Sequence, residues 1–161
     1  MAKIIKELNW DCILIAAGPV SSGNLRNLLR LCKKLHIVDR VIILGLVDRV
    51  TLLKLYAIAD VFILPSSLEA GRPPIAILQA LAAGIPVITT AEASSPESKN
   101  AVMMVHRDPD EVAKSLIKLF RDERLYNQLV MKGYHFVKRY HSNEALLKAY
   151  SNILDQLEPR H

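Results

Sequence analysis

The chain has little cysteine: two residues in 161, Cys12 in an apolar strand-like run and Cys32 within a helical pattern. Both read as small buried hydrophobes, which excludes a disulfide framework and a redox pair. Aromatic residues make up only 6%, and the Lys and Arg residues are spread along helices without aromatics between them. With no DNA- or RNA-binding signature either, no nucleic-acid partner is expected. No apolar run approaches the ~18 residues of a membrane span. The opening MAKIIKELNWD is not a signal peptide, because Lys3, Lys6 and Glu7 interrupt any apolar core, so a cytoplasmic, soluble protein is expected. The five histidines show no metal-ligand spacing. Neither a metal nor a cofactor is expected.

What is present is apolar. The hydrophobic content is 51% and the mean hydropathy +0.19, which excludes disorder, and 161 residues suffice for one domain with a real core. No linker, repeat or low-complexity segment divides the chain, so residues 1–161 read as a single domain. The net charge is +5 and the pI about 9.3. Lys114, Lys118, Arg121, Arg124, Lys132, Lys138, Arg139 and Lys148 crowd the C-terminal third on segments that read as amphipathic helices. A peripheral contact with an anionic membrane, or attraction of a negatively charged ligand, would act there.

The pattern alternates throughout. Residues 2 to 8 read as a helix end, 12 to 17 as a strand, 24 to 35 as a helix, 41 to 44 as a strand and 50 to 59 as a helix. Then 60 to 90, DVFILPSSLEAGRPPIAILQALAAGIPVITT, writes a buried strand, a polar loop, a helix and a second buried strand in succession. Pro73 and Pro74 suit a helix start, and Gly84 ends the helix. A short buried run at 101 to 105 and helices near 109 to 121, 123 to 139 and 142 to 157 complete the chain. Asp108-Pro109-Asp110-Glu111 marks the first of these, with Asp as N-cap and Pro at the first position. This order predicts an α/β, Rossmann-like parallel sheet of about five strands flanked by helices, with a helical C-terminal tail. Ligands then meet the carboxyl ends of the strands, at Gly18 to Gly23, Gly45 to Arg49, Pro65 to Pro73 and Thr90 to Glu97.

The succession GP at 18 to 19, DRVIILGLV at 39 to 47, LYAIADVFILPSSLEAG at 55 to 71, ILQALAAGIPVITT at 77 to 90 and AVMMVHRDPDEVAKSLIKLFRD at 101 to 122 resembles the C-terminal, donor-binding domain of GT-B glycosyltransferases of family 4. The resemblance covers nearly the whole chain. It implies a hexosyltransferase type of activity in polysaccharide or glycolipid biosynthesis. A sugar would pass with retention from a nucleotide-sugar donor, such as a UDP- or GDP-sugar, to an acceptor, without a metal, in a cleft between two Rossmann-like domains.

The residues it carries over are Gly18 at the first turn, Leu46 and Val47 beside the base, and Gly71, Arg72, Ile75 and Gln79 on the donor loop and helix. The family's motif is a pair of glutamates separated by seven residues. Here the second falls on Gln79 and the first on Gly71. A glutamine still accepts a ribose hydroxyl through its carbonyl, without charge assistance. Glu69, two residues ahead of Gly71, is the candidate catalytic carboxylate that would replace the first glutamate; the alternative is a solvated loop acid. Pro73 and Pro74 remove two amides from a loop that holds phosphates in the family, and Arg72 is positioned to compensate.

Family donor domains also open with a strand, a glycine-arginine turn and a lysine that this sequence does not show. The absent strand would lie between those at 12 to 17 and 61 to 64, so the two pair directly, a second polypeptide fills the gap, or two copies complete each other. The expectation is a donor-binding domain that is inactive alone and works with an N-terminal acceptor domain, a partner chain or a second copy. A degenerate, non-catalytic glycosyltransferase-like binding module is the alternative, favoured by the two lost glutamates.

Overall fold

The computed structural model describes residues 11–66 and 73–157. Its elements are β1 (Leu14–Ala17), α1 (Ser22–Leu35), β2 (Val41–Gly45), α2 (Arg49–Ile58), β3 (Phe62–Leu64), α3 (Ile75–Ala82), β4 (Val87–Thr89), β5 (Met103–Met104), α4 (Pro109–Arg121), α5 (Glu123–Tyr140) and α6 (Asn143–Leu157). Each matches an apolar run in the order expected, while the helix end expected at residues 2 to 8 lies outside the described residues. Every strand pairing is parallel. The chain is α/β: the described residues hold five strands, each paired in parallel, with helices between them and a helical C-terminal tail.

The chain forms two compact units, Met1–Ile58 and Ala59–His161. The strands divide in the same way, β1–β2 in one sheet and β3–β4–β5 in the other. β1 and β3, placed by the sequence on either side of an absent strand, therefore belong to different sheets. Local periodicity locates strands, but pairing is set by contacts distant in sequence, and a run such as Leu14–Ala17 does not encode its neighbour.

In the first unit, Ser21 caps α1 by accepting the Asn24 amide at 3.3 Å. The helix ends at His36, whose left-handed backbone, φ 55°, lets its amide reach the Cys32 and Lys33 carbonyls. Cys32 is buried as expected, Cys12 only half-buried, and neither forms a disulfide. Ile15 pairs with Ile42 across β1–β2. Ile13, Ile15, Ile42 and Leu44 share one face of this sheet and are all exposed.

The second unit is built on β4. Val87 and Ile88 are fully buried, and β4 is hydrogen-bonded to β3 on one side and β5 on the other. Ile77, Ala80 and Leu81 of α3 and Ala113, Leu116 and Leu119 of α4 recur at helical spacing and are all buried. Asp108 caps α4 as expected, accepting the Asp110 and Glu111 amides at 3.4 and 3.1 Å, with Pro109 in the first turn. Asp122 caps α5 through the Leu125 amide at 2.9 Å.

Leu129, Gly133 and Phe136 form the buried stripe of α5. A Cβ added at Gly133 would stand 2.6 Å from Leu81 Cδ2. Leu81 is itself 1% exposed, so it has no space to yield. Gly133→Ala is therefore expected to lower stability by about 1–3 kcal/mol through overpacking. Urea unfolding of the two proteins checks this; an unchanged midpoint would show that α3 and α5 separate freely.

Candidate functional site

The four segments singled out in the sequence all follow strand ends, at β1, β2, β3 and β4. In the first unit, the Gly18 amide donates to the Gly45 carbonyl at 2.7 Å, tying the ends of β1 and β2 together. Both glycines have positive φ, 140° and 65°, a conformation that residues other than glycine rarely adopt. This link brings Gly18 to the strand end from which Leu46 and Val47 follow. Leu46 is 80% exposed and Val47 half-buried. Asp48 then starts α2, its carboxylate accepting the Thr51 amide at 2.8 Å and the Thr51 hydroxyl at 2.9 Å. The Thr51 amide first, and its hydroxyl second, hold this acid below the ordinary carboxylate range.

In the second unit, Pro74 stands at the N-terminus of α3 and offers no side-chain cap. Its carbonyl receives both the Ile77 and Leu78 amides, at 2.9 and 3.2 Å. Ile75 opens the helix, 72% exposed, and Gln79 lies one turn further along the same face, also exposed. The structure thus groups Gly18, Leu46 and Val47 at one strand end, and Ile75 and Gln79 on one helix face. Glu69, Gly71 and Arg72 lie outside the described residues.

Two threonines that the motif reading passed over organise the strand ends of this unit. The Thr89 hydroxyl donates to the Leu64 carbonyl at 2.8 Å, and the Thr90 hydroxyl donates to the Ser66 carbonyl. Both threonines are buried, at 0% and 1% exposure. They join the end of β4 to the start of the loop after β3. The signal was legible: two hydroxyls end a strand whose other residues are all apolar. Beyond them, Ser95 and Ser98 cap each other reciprocally. The Ser98 hydroxyl accepts the Ser95 amide at 2.7 Å, and the Ser95 hydroxyl accepts the Ser98 amide at 3.2 Å. Glu97 is held below the carboxylate range by its own backbone amide first, then by the Ser95 side chain.

Of the described candidates, Gly18, Leu46, Val47, Ile75 and Gln79, none carries a charged or titratable side chain. They offer backbone amides, exposed apolar surface and one carboxamide. Such a set can hold and orient a ligand but cannot move a proton at neutral pH. Any acid–base or charge-stabilising role among the candidates falls to Glu69 and Arg72. Among the described residues, no three His, Cys, Asp or Glu side chains converge as metal ligands.

The profile of the family described as glycosyl transferases group 1 matches residues 1–136. The chain is 30% identical over 156 residues to N-acetyl-alpha-D-glucosaminyl L-malate synthase of Bacillus anthracis, an alignment that covers 94% of this chain and 39% of that protein. Its fold resembles the crystallised C-terminal domain of a glycosyl transferase group 1 family protein from Francisella tularensis, with a TM-score of 0.75 and 20% identity, over 88% of this chain and 76% of that one. An Anabaena protein, HepE, solved in complex with UDP, is similar with a TM-score of 0.75 and 16% identity, over 91% of this chain and 41% of its own. The chain thus spans about two fifths of the length of the curated relative from Bacillus anthracis.

The Asp48 cap yields a test with a defined sign. A carboxylate whose folded pKa lies below its reference of 3.8 stabilises the fold at higher pH, and this contribution is lost as the pH falls through the folded value. Asp48→Ala is expected to lower the urea midpoint at pH 7, and the gap from wild type should shrink by roughly pH 2.5. An equal gap at both pH values would mean that the charge on Asp48 contributes nothing.

Proposed function

The chain belongs to the glycosyl transferases group 1 family, and on that premise we propose that residues 1–161 act as the donor-binding domain of a retaining, family 4 type glycosyltransferase. It binds a nucleotide sugar and presents the sugar to an acceptor held by polypeptide outside these residues. The observation that carries this reading is the UDP bound by the Anabaena protein, whose fold matches 91% of this chain. The first turn is suited to such a ligand, since Gly18, without a side chain, lets the backbone approach a phosphate, and Leu46 and Val47 offer apolar surface to a base.

On the donor loop, Arg72 takes the diphosphate in place of the amides that Pro73 and Pro74 lack, with Gly71 and Ile75 lining its path. Gln79 accepts a ribose hydroxyl, and Glu69 faces the transferred sugar. The two compact units serve this one domain. Because the chain spans only 39% of its curated relative, acceptor binding falls to an acceptor domain, a partner chain or a second copy. The setting is the cytoplasmic face of a membrane, with the chain attached peripherally. Among the described residues, no helix is long and apolar enough to cross it.

A non-catalytic binding module is the second reading, favoured by Gln79 and Gly71 standing where the family has glutamates. Titration calorimetry with UDP, GDP and their sugars separates the two. Micromolar binding of one nucleotide is expected, weakened at least tenfold by Arg72→Ala. Gln79→Glu should tighten it severalfold, because a charged acceptor holds a hydroxyl more strongly than a neutral one. Absence of binding to every nucleotide at millimolar concentration supports the second reading. Turnover of any nucleotide sugar by the chain alone would overturn the requirement for further polypeptide.

A further inference from the structure

The charge of this chain is segregated. Residues 59–161 carry twelve Lys and Arg against twelve Asp and Glu, whereas residues 1–58 carry nine against four. The whole net charge of +5 therefore belongs to the first unit. The C-terminal cations on which the sequence placed a membrane contact belong to the unit whose acids balance its bases.

The most one-sided element is α1, with Arg26, Arg30, Lys33 and Lys34 and no acid in 14 residues. These cations recur at i, i+4, i+7 and i+8, so they occupy one face, an arc of roughly 100°. All four are exposed, and among the described residues no ion pair involves any of them. Leu25, Leu28, Cys32 and Leu35 fill the opposite face, where Cys32 is buried. Leu29 and Leu31, 40% and 50% exposed, border the cationic stripe on its two sides.

We infer that the cationic face of α1 is the surface by which this chain rests on an anionic lipid bilayer. Four exposed cations on one helix face, none of them in an ion pair among the described residues, match a plane of negative headgroups. The four cations pair with headgroups along the length of α1. A nucleic acid fits less well, since α1 has no aromatic residue to stack on a base. This assigns a surface to the peripheral setting proposed above and rests on that reading only for its role in presenting the acceptor.

Flotation with vesicles tests it, using phosphatidylcholine alone and a 70:30 mixture with phosphatidylglycerol. The wild-type chain should float with the anionic vesicles at low salt, remain unbound with the neutral ones, and dissociate at about 0.5 M NaCl. Arg30→Gln with Lys33→Gln should reduce partitioning roughly thirtyfold, at about fivefold per cation near the surface. Lys114→Gln with Lys118→Gln, on α4, should leave it unchanged. Far-UV circular dichroism establishes that each variant is folded. Absence of flotation with anionic vesicles, equal flotation with neutral ones, or an α1 variant that floats like wild type overturns the inference. Tighter retention of a 20-base-pair DNA duplex than of vesicles at equal salt would reassign the stripe to nucleic acid. The calorimetric affinity for UDP should be the same in the α1 variant and in wild type, so failure of nucleotide binding and failure of lipid binding are read separately.

Discussion

A parallel strand must satisfy its backbone on two edges and cover its side chains on two faces, and β4 meets both demands here. It is paired with β3 and β5 along its edges, and Val87 and Ile88 are fully buried. Their burial fixes where α3 and α4 can lie, because the stripes Ile77–Ala80–Leu81 and Ala113–Leu116–Leu119 need that same covered volume. α5 then closes on α3 at Gly133, the position where a side chain would meet Leu81. The same strand also ends in two buried hydroxyls. At its end Thr89 and Thr90 are buried, and each hydroxyl is satisfied on a carbonyl at the exit of β3. A buried hydroxyl has one donor hydrogen to place, so these bonds hold the two strand ends together where the loop after β3 begins.

The β1–β2 pair meets neither demand in full. Its two strands form a sheet of their own, and Ile13, Ile15, Ile42 and Leu44 leave one face exposed. Two-stranded sheets are marginal by themselves, since too few apolar side chains are covered to offset the entropy of ordering the chain. Much of the local order of this unit comes instead from backbone geometry: the Gly18–Gly45 link, the His36 helix end and the Asp48 and Ser21 caps. Each is a short-range device that works whether or not the face is covered.

That difference explains how much was legible in the sequence. The elements were readable to within a few residues because each apolar run is bounded by a residue with a mechanical reason to stop it, such as Gly18, Gly45, Pro65, Gly84 or Asp108. The division of five strands into two sheets was not readable. Strand pairing depends on contacts between residues distant in sequence, and nothing local to Leu14–Ala17 or Phe62–Leu64 names a partner. For the candidate site, position relative to strand ends was legible from alternation alone, since the four segments follow β1 to β4. The Thr89 and Thr90 clamp was not legible as a contact, because the carbonyls that accept from it, on Leu64 and Ser66, lie about 25 residues away in the chain.

Charge was the least legible property, because a composition of +5 carries no position. Once the balance is taken unit by unit, the cations of α1 stand out, and their distance from the first turn decides what they can act on. α1 begins at Ser22, close to Gly18, and at about 1.5 Å per residue Arg30, Lys33 and Lys34 stand roughly 12 to 18 Å along it. The screening length at physiological ionic strength is about 8 Å. A diphosphate at the Gly18 turn would feel Arg26 and little of the other three. Three of the four cations are thus out of effective range of a ligand at that turn, while all four face the same way on the helix. A stripe arranged in this way acts on something extended and flat along α1 rather than on a small anion at its end.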